Sequence, residues 1–186
     1  MKLLRVGDFG KETVAALDDK GKIRDLSKHI NDLNPDTINF HNLKKLESLN
    51  LYELPEIDRK KRIGACINRP SNILCIGLNY SLHAKQTGSK LPTYPIVFNK
   101  SPDCIQGPFD PIKKNKFQEK LDYEVELAVL IGKEAKNVDE EKALDYVCGY
   151  FILNDISDRQ AQTVLGNGHG TYGKSWDAPA GGLVVG

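Results

Sequence analysis

Acidic side chains occupy alternate positions at the start of an otherwise apolar segment, residues 122–131. In an extended strand alternate residues share a face, so Asp122, Glu124 and Glu126 would point to the same side. The two glutamates could then converge on one ion. Further along, this segment is apolar on both faces, and a carboxylate buried in such surroundings needs a cation, a proton or a metal. A half-exposed strand with a hydrated acidic face is an equally supported alternative.

Asp155 is a third carboxylate, placed at the end of the apolar run 149–153. A side chain at a strand end can reach a cleft, although a helix cap or a turn also explains an aspartate there. Glu124, Glu126 and Asp155 together form an all-oxygen set without histidine. Hard cations such as Mg²⁺, Mn²⁺ or Ca²⁺ suit such a set better than zinc does.

Two further segments carry groups that could act on a ligand. His83 follows a predicted strand that ends at Gly77, where a structural or merely exposed histidine is the alternative. Lys174 lies in the glycine-dense segment 166–182, where glycines could allow close backbone approach to a ligand. Residues 168–175 also match the phosphate-loop spacing, but the polar run 160–163 stands where that motif needs a buried strand. Nucleotide binding is therefore the weakest hypothesis.

The elements that would position these groups suggest two parts. Residues 1–65 read as a small β-rich N-terminal domain, with strands near 3–6 and 14–17. Leu26, Ile30 and Leu33 stand at helical spacing before Pro35, and the leucines at 43, 46 and 49 predict a short helix. Residues 70–186 alternate short strands at 72–77, 96–98, 122–131 and 149–153 with one helix at 138–146. This order predicts an α+β fold with a mixed or mainly antiparallel sheet.

Composition excludes several classes of protein. The net charge of +1 offers no basic surplus for nucleic acid. No stretch approaches the roughly 18 apolar residues of a membrane span, and the N-terminus lacks a secretory pattern. The four cysteines are scattered, which predicts free buried thiols rather than a zinc knuckle. A cytoplasmic location is expected.

These motifs, in this order, resemble the fumarylacetoacetate hydrolase family. The matching stretches begin with Gly77-Leu78-Asn79-Tyr80 and His83-Ala84, continue through Val97-Phe98 with Lys100, and include Ile105 with Gly107-Pro108. They go on through residues 122–127, Asn154-Asp155-Ile156-Ser157 with Arg159 and Gln162, and Gly173-Lys174-Ser175 with Asp177. The resemblance covers roughly residues 70–182.

The resemblance implies a mixed β-roll, a Mg²⁺- or Mn²⁺-type ion, a homodimer, and small 2-oxo or 1,3-dicarbonyl acids as substrates. Carried over residue by residue, it makes Glu124, Glu126 and Asp155 the metal ligands. Lys174 would stabilise negative charge on the substrate, and His83 would accept a proton from water or substrate. Tyr80 and Arg159 would contact the substrate.

Among the departures of the sequence from the family pattern, two bear most directly on activity. Gln86 stands where the family often has the glutamate that partners the histidine. A glutamine can hold the ring but cannot stabilise its charged form, so general-base catalysis should weaken. Family members also continue beyond the position of Gly186, so the resemblance implies a roll that is incomplete at its C-terminus. The alternative to a metal-dependent hydrolase or lyase is therefore an impaired family remnant that keeps a metal site and self-associates.

Overall fold

The computed structural model describes residues 1–176 and 183–185. It contains twelve strands in these two ranges: β1 (Lys2–Val6), β2 (Thr13–Leu17), β3 (Ile23–Asp25), β4 (Glu56–Ile57), β5 (Ile73–Gly77), β6 (Ile96–Lys100), β7 (Ile105–Gln106), β8 (Leu121–Asp122), β9 (Val125–Ile131), β10 (Val147–Asp155), β11 (Ser157–Asp158) and β12 (Leu183–Val185). The α-helices are α1 (Phe40–Glu47), α2 (Ser81–Gln86) and α3 (Gly170–Lys174). Shorter helical turns span Leu51–Glu53, Pro102–Cys104, Glu140–Tyr146 and Ala161–Leu165.

The N-terminal part is an antiparallel sheet in the order β1-β2-β3-β4. Alternation along β2 places Val14 and Ala16 in one apolar cluster and Ala15 in a second. The strands predicted near 3–6 and 14–17 are therefore confirmed. The division of the chain into two domains remains a prediction.

The helical spacing of Leu26, Ile30 and Leu33 reflects burial rather than a helix. All three side chains are buried in the cluster with Val14, but their backbone follows irregular turns. Pro35 and four Asn or Asp residues between 31 and 36 favour turns over continued helical hydrogen bonding. The next predicted helix does form, as α1, where the Asn39 side chain accepts the backbone N–H of Asn42 as its N-cap.

The second part contains a mixed sheet in the order β7-β12-β10-β9. β7 and β12 run parallel, while β10 is antiparallel to both of its neighbours. The predicted mixed sheet is thus observed. Its inner face meets the N-terminal cluster through Leu130, Cys148 and Phe151, so the two parts of the chain share apolar packing.

Three sequence expectations in this part need correction. The segment 122–131 is two strands, because the backbone leaves the ladder at Tyr123 and Glu124, and Asp122 pairs with Ser157 of β11 instead. The helix expected at 138–146 is a 3-10 turn over Glu140–Tyr146. The strand expected at 72–77 forms as β5, but Leu74 on its outer face is exposed rather than buried.

One face of the β9–β10 pair is apolar and open. Val125, Leu127, Val129 and Ile131 alternate outward along β9, and Ile152 of β10 lies opposite Leu127 on the same face. Leu127 is 57% exposed and Ile152 is 60% exposed. No helix in the described ranges is long and apolar enough to cross a membrane.

All four cysteines are free thiols, as expected. Cys104 is buried, whereas Cys66, Cys75 and Cys148 are only partly buried.

Candidate functional site

An open cavity of about 1320 Å³ lies between the β5–β6 pair and the junction of β9, β10 and α3. Seven of the eight residues predicted from sequence to form a site line it: Tyr80, His83, Glu124, Glu126, Asp155, Arg159 and Lys174. The chain therefore brings together segments up to 94 positions apart, from residue 80 to residue 174. Gln86 is not on its wall.

Lys174 is the centre of the polar wall. Its Nζ donates to Glu124 Oε2, Asp155 Oδ2 and Ser157 Oγ, each at 2.7 Å. An ammonium group has three N–H donors, so this lysine is fully satisfied although it is only 3% exposed. Burial raises the pKa of Glu124, but Lys174 and Arg159 outweigh that effect and hold it below its ordinary value. The Glu124 carboxylate is therefore charged at neutral pH.

Lys100 is a second buried ammonium that was not predicted as a site residue. It is 1% exposed, and its Nζ donates to Asp155 Oδ1 and, at 3.2 Å, to the Ile156 carbonyl oxygen. Burial lowers the pKa of Lys100, and the neighbouring Asp155 carboxylate opposes that shift. The sequence signal was its place at the end of β6, inside the matching stretches, without an indication of its partner.

The Arg159 guanidinium forms ion pairs with two carboxylates, those of Asp122 and Glu124. Its Nε donates to Asp122 Oδ2 at 2.9 Å, and one terminal nitrogen lies 2.5 Å from Glu124 Oε1. The hydrogen bond from Arg159 holds the pKa of Asp122 below its ordinary value. Asp122 thus anchors an arginine, and Arg159 faces the cavity with its charge already paired.

Glu126 differs from the other carboxylates on this wall. Burial is the main cause that raises its pKa, and the negative charges of Glu124 and Asp155 add to it. Tyr80 lies beside it, with its hydroxyl oxygen accepting the backbone N–H of Leu127 at 3.0 Å. Of the three predicted metal ligands, Glu124 and Asp155 have cations beside them, whereas the charge of Glu126 is poorly compensated.

The glycines before Lys174 allow close packing of the chain on itself. A Cβ on Gly173 would lie 2.7 Å from the Asp158 carbonyl oxygen, and one on Gly170 would lie 2.9 Å from the Phe98 ring. These contacts dock α3 on β6 and β11 and turn Lys174 inward. The segment before it, Ala161–Leu165, is helical rather than a strand, so the phosphate-loop interpretation of residues 168–175 has no structural support. Asp177 and the rest of 177–182 lie outside the described residues.

His83 stands on α2 at the cavity wall and is exposed. Gln86, three residues later, is also exposed, and no hydrogen bond joins it to His83 in the described structure. The geometry thus places the histidine within reach of the cavity but does not orient its ring through Gln86.

A divalent ion fits the chemistry of this wall. Its donors are carboxylate oxygens, and the Lys174 ammonium already stands as a cation between Glu124 and Asp155. An added positive charge would also relieve the poorly compensated Glu126. Across residues 1–176, no three His, Cys, Asp or Glu side chains are arranged closely enough to hold a metal ion. Binding would therefore require the carboxylates to rearrange.

The same fold occurs in solved structures. One is a fumarylacetoacetate hydrolase from Exiguobacterium antarcticum, with a TM-score of 0.75 and 30% identity, covering 95% of this chain and 62% of that one. Another is a 2-hydroxyhepta-2,4-diene-1,7-dioate isomerase from Mycobacterium marinum, with a TM-score of 0.69 and 27% identity, covering 100% and 64% respectively. Both likenesses define the fold as that of the fumarylacetoacetate hydrolases.

The sequence gives the same family directly. Residues 72–185 match the fumarylacetoacetate (FAA) hydrolase C-terminal domain, and this chain belongs to that family. A Burkholderia ambifaria protein named "Putative hydrolase" is 45% identical over 177 residues, covering 95% of this chain. The chain spans 62% of the length of that relative. The family includes hydrolases, isomerases and decarboxylases, and its enzymes generally depend on a divalent metal ion.

Proposed function

We propose that the chain is a metal-dependent hydrolase or lyase for a small 2-oxo or 1,3-dicarbonyl acid. The reaction would be hydrolysis of a carbon–carbon bond or decarboxylation. The observation that carries the proposal is the cluster of Glu124, Asp155 and Lys174 on the wall of a cavity, in a chain of this family. Such a cluster offers both carboxylates for a cation and an ammonium for a substrate anion.

Glu124, Glu126 and Asp155 would hold the ion, with Mg²⁺ or Mn²⁺ favoured by the all-oxygen donors and Ca²⁺ as the further candidate. When bound, the ion would supply Lewis-acid stabilisation of negative charge on substrate oxygens. Lys174 would add its ammonium charge from a buried position, where such a charge acts most strongly.

His83 would accept a proton from water or from the substrate. Its exposed position on α2 leaves the ring free to approach a bound molecule, and Gln86 supplies no charge to stabilise the protonated ring. Tyr80 and Arg159 would then orient the acid. The expected activity is weak, because the proton acceptor is poorly positioned before substrate binds.

The test is turnover of acylpyruvates and oxaloacetate with Mn²⁺ present. Wild type, Lys174→Ala and Gln86→Glu would be compared, with Lys90→Ala as a matched control at an exposed lysine off the cavity wall. Activity should fall with Lys174→Ala, rise with Gln86→Glu and stay unchanged with Lys90→Ala. Robust turnover that is indifferent to Lys174→Ala would refute the mechanism.

A second candidate is an impaired family member that binds the metal and self-associates. The open apolar face of β9 and β10 favours it, because monomers rarely leave such a face in water. Light scattering should then show a dimer or larger species, and Leu127→Lys should shift it toward monomer. Inactivity of wild type and Gln86→Glu together with this association would favour the remnant. A clean monomer across a wide concentration range would count against it.

A further inference from the structure

The Lys174 ammonium lies between one oxygen of Glu124 and one oxygen of Asp155 and donates a hydrogen bond to each. Glu124 Oε2 and Asp155 Oδ2 both lie 2.7 Å from its Nζ. The third N–H of the ammonium donates to Ser157 Oγ, also at 2.7 Å. No donor is left over, so the lysine is held as firmly as its chemistry allows.

The other oxygens of these two carboxylates are held by two further cations, one of them fully enclosed. Asp155 Oδ1 is bonded to Lys100, whose side chain is fully enclosed and does not line the cavity. Glu124 Oε1 is bonded to Arg159, which is also tied to Asp122. Because Asp155 Oδ1 faces the enclosed Lys100, an ion that reaches Asp155 from the cavity would take Oδ2, the oxygen that Lys174 holds together with Glu124 Oε2.

Lys174 is the cation whose displacement would free an oxygen on both carboxylates at once. It lines the cavity from α3, a helix of only five residues, and has the Phe98 ring 5.5 Å from its Nζ as a further favourable neighbour. A divalent ion brings twice the charge to the same oxygens. The ammonium would then be repelled towards the cavity, where a substrate anion could meet it.

We propose that Lys174 and the divalent ion compete for Glu124 Oε2 and Asp155 Oδ2, so that metal binding releases the lysine to the substrate. This rests on the proposed function and deepens it, since it makes the charge-stabilising group available only in the metal-loaded protein. In the metal-free protein the same lysine neutralises the carboxylates and keeps the site folded. Coupling of this kind is reciprocal: whatever frees Lys174 favours the ion, and the ion frees Lys174.

Affinity for Mn²⁺, followed by the electron paramagnetic resonance signal of the free ion, tests the competition. Lys174→Met removes the competing ammonium, while Arg159→Gln removes an equal charge from the outer oxygen of Glu124 and serves as the matched control. Because hydrogen bonds to charged groups are among the strongest, Lys174→Met should bind Mn²⁺ on the order of tenfold tighter than wild type or more. Arg159→Gln should change the affinity much less.

The outcomes separate the inference from the proposed metal site. Tightening confined to Lys174→Met supports the competition, as does binding by that variant alone. Equal tightening in both variants, or none in Lys174→Met, overturns it while leaving the metal site intact. No binding by any of the three proteins overturns both.

A measurement on the wild type covers the case in which Lys174→Met fails to fold. Acetic anhydride would be applied with and without Mn²⁺, and acetylation mapped by peptide mass spectrometry. Acetylation of Lys174 should rise with Mn²⁺, while Lys100, which the ion does not release, should stay protected. Unchanged protection of Lys174 in protein shown to bind Mn²⁺ would refute the inference.

Discussion

Replacing Asp155 with asparagine should destabilise the metal-free protein strongly. Asp155 is 3% exposed and is the only carboxylate in the described structure that pairs with both Lys100 and Lys174. An asparagine has nearly the same shape but carries no charge. Its carbonyl oxygen could accept from one ammonium, and its NH₂ group would then face the other, donor against donor.

The size of the effect follows from these contacts. At an effective dielectric constant near 20, unit charges about 3 Å apart attract by roughly 5 kcal/mol before desolvation is subtracted. Measured losses on removing one partner of a buried ion pair are about 3–5 kcal/mol. Lys174 keeps Glu124, so the loss concentrates on Lys100, whose other acceptor is a carbonyl oxygen. We therefore expect Asp155→Asn to lower the free energy of unfolding by about 3–5 kcal/mol.

Urea unfolding followed by circular dichroism would measure this loss. With a slope of about 2 kcal/mol per molar urea, the midpoint should fall by about 1.5–2.5 M. Asp103→Asn is the matched control, since that carboxylate is exposed, and it should change stability by less than about 0.5 kcal/mol. Adding Lys100→Met to Asp155→Asn should recover part of the loss by removing the stranded ammonium. A loss below about 1 kcal/mol for Asp155→Asn would show that the buried pairs do not support the fold.

Three further predictions concern other residues. The Glu12 side chain is buried between Arg5 and Arg62. In urea unfolding, Glu12→Gln should therefore lower the protein's free energy of unfolding by about 2–3 kcal/mol, whereas Glu47→Gln, at an exposed carboxylate, should leave it almost unchanged. Burial raises the pKa of the Cys75 thiol to about 12, so iodoacetamide at pH 8 should label it far more slowly in the folded protein than in urea, and equal rates would contradict this. Burial also raises the pKa of Glu126 above its ordinary value of 4.5; the folded state then holds a proton that the unfolded state has lost, and stability falls as pH rises from 4.5 through the raised pKa. Glu126→Gln should remove that fall and be more stable than wild type at pH 7, and an unchanged pH profile would refute the assignment.

Strands could be predicted from sequence where neighbouring residues alone mark them. β2 and β6 follow from short apolar runs bounded by turn residues, and β10 from the run that ends at Asp155. The helical spacing of Leu26, Ile30 and Leu33 was misleading, because burial on one cluster requires only that the side chains converge. Spacing reports which residues are buried more reliably than it reports the backbone that buries them.

The outer face of β9 shows a second limit. From position 127 onward both faces of the strand are apolar, which predicts burial on both sides. The structure covers only the face with Ala128 and Leu130, while Leu127 and Val129 stay open. An apolar face shows that its burial would be favourable. It does not show that another element or another molecule is there to cover it.

The candidate site was predictable as a set of residues but not as a set of partners. The motifs supplied Glu124, Asp155 and Lys174, and the cavity brings them together. That Lys174 would lie between the carboxylates depends on how α3 docks through Gly173, and no spacing in the sequence encodes that contact. Lys100 was overlooked for the same reason, since its partner lies 55 positions away.

Asp155 pairs with two lysines, Lys100 and Lys174, and this pairing gives a way to tell a cation-binding site from a structural ion pair. Around a structural pair, such as Arg24 with Asp18, removing the cation leaves a carboxylate whose other contacts are backbone N–H groups, and stability falls without a new affinity appearing. Around Asp155, removing Lys174 leaves two carboxylates facing each other at an open cavity, which raises their demand for another cation. Loss of stability with gain of cation affinity is therefore expected of Lys174→Met, whereas Arg24→Met should show the loss alone. If both variants lose stability and neither gains affinity, Lys174 acts only as a structural partner of the two carboxylates and does not compete with a bound cation.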